Sequence, residues 1–215
     1  MAKFDFDIDA DDLMQLMVEA IGEIDPDDLA YLFATGKSEL EIRNAIALYM
    51  HKNAQSNQVV TREWNRHDLA VLEFGQPRIV IEGKSWIHAD AADSQKLTQG
   101  EKSIRHGLHN DLEKLADTQN RYPNVSTFVT TILFTVDLQG ASPSQLEEAQ
   151  IKYADTHLRG IKSHTDAEEL VGRGRGALSQ FLHDYGVIKR HPLNVGRYLR
   201  YPVEADLFLL QPTPR

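Results

Sequence analysis

Apolar and polar residues alternate with the period of a β-strand in two neighbouring segments, residues 67–73 and 78–84. Between them lie Gly75 and Pro77, residue types that favour turns. The two segments therefore predict a β-hairpin. Both strands carry apolar residues on both faces, so we expect the sheet to be covered on each side.

The pleat of this hairpin decides which of its charged side chains can meet. Successive side chains of a strand point to opposite faces, so Glu82 and Lys84 share one face. A three-residue loop over 75–77 would place Asp68 opposite Lys84, whereas a four-residue loop would place it opposite Gly83. A face shared by both acids and the amine therefore requires an odd loop or a bulge.

Other segments have equally regular patterns. Apolar residues recur at helical spacing near the N-terminus, at Leu13, Leu16, Met17, Ala20 and Ile21. Helices are also predicted over residues 38–49 and 100–119, and strands over residues 125–137, 198–201 and 205–210. This order indicates an α/β fold, with an acidic helical segment over residues 1–36 and an α/β domain over residues 37–215.

Composition limits the possible classes of protein. A chain of 215 residues, of which 41% are hydrophobic, can form one well-buried domain. The net charge of −9 does not exclude a nucleic-acid partner, because residues 1–41 contain 12 acidic and 2 basic residues and the remainder is nearly neutral. We find no apolar run long enough for a membrane span and no secretory leader, so we expect no membrane partner and a cytoplasmic location.

Asp68, Glu82 and Lys84 are residue types suited to hydrolysing a phosphodiester. Two nearby carboxylates repel unless a cation lies between them, and Mg²⁺ prefers oxygen ligands, to which the carbonyl of Gly83 could add. Lys84 beside a metal could orient the attacking water, and we expect its pKa to be lowered. Alternatively, Glu82 and Lys84 are a solvent-exposed pair at a strand edge.

Asp68, the triplet Glu82-Gly83-Lys84 and the elements around them resemble the PD-(D/E)XK nuclease superfamily over residues 38–137. The resemblance implies a restriction-endonuclease-like mixed sheet with an αβββαβ core. It also implies that Asp68 and Glu82 bind Mg²⁺ or Mn²⁺ and that Lys84 assists the attacking water. One departure is that His67, rather than proline, precedes Asp68.

The resemblance further implies a substrate and an assembly. The substrate would be DNA, cut to a 5′-phosphate and a 3′-hydroxyl. A restriction-like homodimer is expected, because one chain with one site needs a second copy to cut both strands.

Many members of this family carry another glutamate on the first helix, and here the choice lies between Glu39 and Glu41. Glu41 lies at the edge of the apolar stripe formed by Ile42, Ala45, Ile46 and Tyr49, which favours it as the inward acid and the fourth catalytic residue. Ser38 and Glu41 also have the spacing of a capping box, which would give Glu41 a purely structural role.

Basic residues later in the chain are candidates for phosphate contacts. Lys102, Arg105 and His109 could form one basic face, although a solvated surface explains them as well. The segment 173–176, Arg-Gly-Arg-Gly, favours a loop that breaks or flanks a helix, and its arginines either contact phosphates or pair with nearby glutamates.

Two other classes of function remain open. The adjacent His67 and Asp68, with His51 and Asp137, have the composition of a histidine-aspartate metal phosphohydrolase, but there the pair lies on a helix. The chain could also be a nuclease-like module that binds DNA or protein without cutting it.

Overall fold

The computed structural model describes residues 8–36, 38–164 and 166–213. The described strands are β1 (Gln58–Trp64), β2 (His67–Glu73), β3 (Gln76–Ile87), β4 (Ser126–Val136), β5 (Gly186–Leu193), β6 (Arg197–Tyr198) and β7 (Tyr201–Pro212). They form one mixed sheet in the order β1-β2-β3-β4-β7-β5, and β6 pairs with β7. Strands β3 and β4 run parallel, and the other neighbours run antiparallel.

Helices cover both faces of this sheet. The described helices are α1 (Ala10–Gly22), α2 (Pro26–Thr35), α3 (Ser38–Asn53), α4 (His88–Ala92), α5 (Ser94–Thr98), α6 (Ile104–Arg121), α7 (Pro143–Ala149), α8 (Ala154–Lys162) and α9 (Ala167–His183). The predicted α/β class is confirmed. None of these helices has both the length and the apolarity needed to cross a membrane.

The β2–β3 hairpin closes through a two-residue turn. Phe74 and Gly75 both have positive φ, at 50° and 78°, as tight hairpin turns between twisted strands require. Neither the three-residue nor the four-residue loop considered from the sequence forms, because residues 76 and 77 already belong to β3.

A bulge beside this turn supplies the odd offset in strand register that a shared face for Asp68, Glu82 and Lys84 requires. Leu72 pairs with Pro77, but the next pair is Val71 with Ile79, so Arg78 is an extra residue in β3. One extra residue on one strand reverses the alternation of side chains relative to the other strand. The bulge, rather than the loop, therefore sets which residues of β3 share a face with Asp68.

Both faces of the sheet are buried, as the alternation predicts. On one face, Leu69 and Ile81 pack in a core that includes residues of α1, α2 and α3. On the other face, Ala70 and Val80 pack with residues of α6 and α9. The charged side chains of Asp68 in β2 and of Glu82 and Lys84 in β3 therefore lie in a sheet that is covered by an apolar layer on each face.

The N-terminal helices share the core of the sheet. All five apolar residues predicted to line one face of the first helix are buried in α1, at Leu13, Leu16, Met17, Ala20 and Ile21. Leu29 and Phe33 of α2 join the same core. Residues 1–7 lie outside the described residues, and the described part of the acidic segment packs against the α/β domain.

The Arg-Gly-Arg-Gly segment over residues 173–176 lies inside α9, so the predicted loop is wrong. Gly174 serves helix packing instead: a Cβ at this position would lie 2.5 Å from the backbone oxygen of His88, the first residue of α4. Arg173 forms a 3.0 Å ion pair with Glu169 one turn away, in agreement with the structural alternative for this arginine.

Candidate active site

Asp68 lies near the start of β2, where strand and helix groups reach both of its oxygens. Oδ2 accepts a 2.8 Å hydrogen bond from the backbone N–H of Gly83, and Oδ1 lies 2.8 Å from Nη1 of Arg43 on α3. Burial acts to raise the pKa of Asp68, but the Gly83 hydrogen bond and the neighbouring polar groups, including Lys84, outweigh it and lower the pKa. Asp68 is therefore an ionised carboxylate at neutral pH.

Glu82 is buried, with 1% of its surface exposed. Its Oε1 lies 2.6 Å from Nδ1 of His67, and Nε2 of His67 lies 2.8 Å from Oγ1 of Thr118 on α6. Lys114 on α6 approaches the same Oε1 to 3.6 Å. Burial raises the pKa of Glu82, and the His67 and Lys114 contacts offset this only in part. Glu82 is therefore not the exposed strand-edge residue of the alternative interpretation.

Lys84 contacts an acid that the sequence did not single out. Its Nζ lies 2.8 Å from Oδ2 of Asp111 on α6 and donates a 3.0 Å hydrogen bond to the backbone oxygen of Gly83. Burial acts to lower the pKa of Lys84, but Asp111 and then Glu39 and Asp68 raise it above its ordinary value. These acids keep Lys84 an ammonium, and the lowering of its pKa expected beside a bound cation stays a prediction.

The acid that α3 contributes is Glu39. A Cβ placed on Gly83 would lie 3.7 Å from Oδ2 of Asp68 and 3.9 Å from Cγ of Glu39, so the two acids meet over this glycine. Burial raises the pKa of Glu39. The expectation that Glu41 faces inward is wrong, because Glu41 is exposed. Glu39 precedes the buried Ile42 by three positions and therefore shares its helix face, whereas Glu41 does not.

A cavity of about 30 Å³ lies between Glu39, Asp68 and Lys84, and Glu82 does not line it. It is lined by the polar residues Glu39, Arg43, Asp68, Gly83, Lys84 and Thr130 and by apolar residues of α3 and the sheet. A cavity of this size holds a single water molecule. The site is therefore compact on the α3 side of the hairpin.

The donors at this site have the chemistry that Mg²⁺ and Mn²⁺ prefer. They are Glu39, Asp68 and the carbonyl oxygen of Gly83 at the cavity, together with the carboxylate of Glu82, which interacts with Asp68 but does not line the cavity. A divalent cation would also stabilise the ionised forms of Glu39 and Glu82, whose pKa values burial raises. Among the described residues, no three His, Asp or Glu side chains already form a metal-binding group. The residues fit the metal in donor type, and Asp68 would exchange its contact with Arg43 on binding.

The structure does not assemble the histidine-aspartate grouping. His67 lies on strand β2 and not on a helix. His51 is exposed in the last turn of α3, and Asp137 follows β4, where its Oδ1 accepts a 3.0 Å hydrogen bond from the backbone of Gln139. The three side chains therefore occupy separate environments.

Most of the basic residues considered from the sequence lie apart from the site. On α6, His109 lies 3.1 Å from Glu113, and Arg105 is exposed, as expected of a solvated face. Lys102 precedes α6.

A second network of buried charge surrounds Asp206 on β7, which is 0% exposed. Its Oδ2 lies 3.2 Å from Nε2 of His88 and 3.0 Å from Nη2 of Arg175, and its Oδ1 lies 3.6 Å from Nη1 of Arg190. Burial acts to raise the pKa of Asp206, but His88 and Arg175 outweigh it, so this pKa is lowered. Arg175 and Arg190 are thus ion-paired within the fold.

Sequence reasoning missed Arg43, Asp111 and Lys114. Asp111 lies on a helix whose many polar residues suggest a solvated surface, yet it is 2% exposed. Its position carries a signal, because the buried Leu108 and Leu115 lie three positions before it and four positions after it on the same helix face. An acid between two core leucines indicates a buried carboxylate that needs a cation, which here is Lys84.

Comparisons with protein-family models, with curated proteins and with solved structures found no match to this chain. Function is therefore inferred from the residues and geometry of the site.

Proposed function

We propose that this protein is a metal-dependent deoxyribonuclease of the restriction-endonuclease type. The observation that carries the proposal is the convergence of Asp68 and Lys84 on the Gly83 peptide, with Glu39 beside them and Glu82 interacting with Asp68. Burying charged groups costs free energy of folding, and such clusters are often found at functional sites. This set of groups suits phosphodiester hydrolysis better than it suits a purely structural role.

Each residue has a role that follows from its contacts. Asp68, Glu82 and the carbonyl of Gly83 would hold Mg²⁺ or Mn²⁺, and the bound ion would stabilise charge on the phosphate and make a bound water easier to deprotonate. The acidic neighbours of Lys84 keep it an ammonium, which would donate hydrogen bonds to the phosphate or the attacking water. Asp111 holds that ammonium in place.

Glu39 is placed to orient the attacking water, since its carboxylate lines the cavity beside Asp68 and Lys84. Attack of the water oxygen on phosphorus, with departure of the 3′ oxygen, would leave a 5′-phosphate and a 3′-hydroxyl. In this scheme the acid on α3 is Glu39, and Glu41 is left without a role in the chemistry.

The order of elements also supports the proposal. The segment from α3 to β4 runs α3, β1, β2, β3, α6, β4, with only the short helices α4 and α5 added before α6. This order matches the αβββαβ core of the PD-(D/E)XK superfamily, whose motif Asp68 and the triplet Glu82-Gly83-Lys84 resemble. We further propose a homodimer, because two copies would bring two sites to the two strands of a duplex.

A direct test compares the wild type with Asp68→Asn and Lys84→Ala on plasmid and single-stranded DNA, with Mg²⁺, with Mn²⁺ and with EDTA. Glu41→Gln is the matched control, because Glu41 is an exposed acid on the same helix as Glu39. We expect cleavage by the wild type and by Glu41→Gln only when a metal is present, and a loss of at least 100-fold in the other two variants.

Two results would overturn the proposal. Cleavage that survives both substitutions would place the chemistry elsewhere or reveal a contaminant. A folded wild type that binds DNA but cuts neither substrate would favour a nuclease-like binding module.

A further inference from the structure

A cleft of about 510 Å³ adjoins the candidate active site, and Glu39 lines both this cleft and the small cavity beside Asp68. From Glu39 the cleft passes Ser85, the residue after Lys84, and reaches Lys152 and Tyr153 at the start of α8. Its volume is within the range that accommodates a small organic group. A strand cut at the proposed site would therefore have a neighbouring pocket within reach.

Tyr153 lines this cleft and has a left-handed backbone conformation. The residue has φ 59° and ψ 26°, a left-handed conformation that is costly for a side chain larger than glycine. Its side chain nevertheless remains accessible, with 54% of the residue exposed. The ammonium of Lys152 lies over one face of the ring, 5.0 Å from its centroid, so a base would stack on the opposite face. An exposed aromatic face next to a cation suits stacking of a flat, electron-rich ring beside a negative charge.

The polar groups of the cleft are of two kinds. Lys96 and Lys152 offer ammonium groups, which bind phosphate oxygens. Asp90 and Glu39 offer carboxylates, which accept hydrogen bonds from the amino groups of a base edge. Asp90 is half-buried, and this burial raises the pKa of its carboxyl. One aromatic face, two cations and two acceptors match the parts of a single nucleotide.

We propose that this cleft receives an unpaired nucleotide of the strand whose phosphodiester lies between Asp68 and Lys84. The inference rests on the proposed nuclease chemistry and narrows its substrate to DNA with single-stranded, bulged or flapped nucleotides, in place of the intact duplex that a restriction-type homodimer would cut. A base in an intact duplex is stacked and paired, and it must leave the helix before its face can reach Tyr153. Uninterrupted duplex is therefore the poorer substrate.

The test measures binding separately from cleavage. Oligonucleotides carry the fluorescent base 2-aminopurine in a single strand, in a one-nucleotide bulge or in an intact duplex, and are titrated with protein in Ca²⁺ without Mg²⁺. The variants are Tyr153→Ala and Tyr153→Phe. The control is Tyr31→Ala, since Tyr31 is exposed to a similar extent, 53%, and does not line the cleft.

We expect the wild type to bind the single strand and the bulge more tightly than the duplex, with a change in 2-aminopurine fluorescence. Tyr153→Ala should weaken binding of both unpaired substrates by roughly 5- to 100-fold, the range for loss of one base–aromatic stack, and leave duplex binding unchanged. Tyr153→Phe keeps the ring and should bind like the wild type, as should Tyr31→Ala.

Several results would overturn the inference. These are equal binding of the three substrates, an unchanged affinity in Tyr153→Ala, and no binding of any oligonucleotide. Failure of the proposed nuclease function is distinguishable, because a protein that does not cut DNA with Mg²⁺ or Mn²⁺ would still show binding that depends on Tyr153. Conversely, cleavage of the single-stranded and bulged substrates that does not depend on Tyr153 would retain the nuclease and reject the cleft.

Discussion

Oδ2 of Asp111 lies 2.8 Å from Nζ of Lys84, joining helix α6 to the second strand of the hairpin. The carboxylate is buried, and the contact raises the pKa of Lys84 against the effect of burial. Two opposite charges that are shielded from water interact strongly. Asp111 therefore fixes both the position and the charge of the amine at the proposed site.

Replacement of Asp111 by asparagine should lower DNA cleavage by about 10- to 100-fold, as is typical of residues that position a catalytic group. The pKa of Lys84 should fall, because Asp111 is the largest contributor to raising it. The decline of activity at alkaline pH should then begin at a lower pH than in the wild type. Glu113→Gln changes an exposed acid on the same helix and is the control. An unaltered pH profile in Asp111→Asn would contradict this role.

The two glutamates of the first turn of α3 should differ sharply in importance. Glu39→Gln should reduce cleavage by at least tenfold, because it removes a carboxylate from the cavity beside Asp68. Glu41→Gln should cut at the wild-type rate, because Glu41 is exposed. Rates measured at saturating DNA on both variants decide the point, and a larger loss in Glu41→Gln would reverse the assignment.

Divalent metal should stabilise the fold through Asp68. A ligand at 100 times its Kd stabilises by about 2.7 kcal/mol, which for a protein of this size corresponds to a rise in Tm of roughly 5–10 °C. We expect this rise with Mn²⁺ in the wild type and in Glu41→Gln, and a much smaller rise in Asp68→Asn. Thermal unfolding monitored by circular dichroism provides the measurement. Equal rises in all three proteins would locate the metal elsewhere.

Acid should destabilise the protein through His157. This side chain is 0% exposed, and burial lowers its pKa to about 4 from an ordinary value near 6.5. Between these pH values the unfolded chain binds a proton that the folded chain does not, so stability falls as pH falls. The loss from this residue alone is about 2 kcal/mol at pH 5.

His157→Gln should remove that part of the pH dependence while leaving an acceptor near the backbone N–H of Val136, which donates to Nδ1 of His157 at 3.3 Å. Urea unfolding at pH 7.5 and pH 5 would show a smaller difference for this variant than for the wild type. His51→Gln, at an exposed position, is the control. A variant with the full wild-type pH dependence would show that His157 is not the responsible group.

Two glycines of α9 should respond in opposite ways to alanine. Gly174→Ala forces a Cβ against the backbone of His88 and should cost about 1–3 kcal/mol of unfolding free energy. At Gly172 a Cβ meets nothing within 4 Å, so Gly172→Ala should stabilise the helix by up to about 1 kcal/mol. Denaturant midpoints of both variants give the comparison. Equal effects would show that α9 can move away from α4.

The regular parts of the fold are predictable from local patterns. The alternation around Asp68 and Glu82 predicts a hairpin buried on both faces, and helical spacing predicts the buried face of α1. The turn and the bulge at Arg78 are not predictable in this way, because they depend on backbone φ values that several loop lengths allow. The sequence therefore predicts that the two strands need an odd offset in register, but not whether a loop or a bulge provides it.

The site is predictable only in part, for a similar reason. Residues close together in sequence, such as Glu82 and Lys84, were identified together from their spacing. The contacts of Arg43 with Asp68 and of Asp111 with Lys84 join elements that are distant along the chain, and no local pattern encodes them. The edge of the apolar stripe favours Glu41, whereas the three-residue spacing between Glu39 and Ile42 places Glu39 on the buried face of the helix.

The bulge at Arg78 also limits how this hairpin can change its length. Insertion or deletion of a single residue between Asp68 and Glu82 would turn the far half of β3 over, so that both Glu82 and Lys84 left the face they now occupy. A change of two residues would preserve that face. Descendants that retained the chemistry would therefore differ from this chain by even-numbered steps at the hairpin, or would carry a second bulge to compensate.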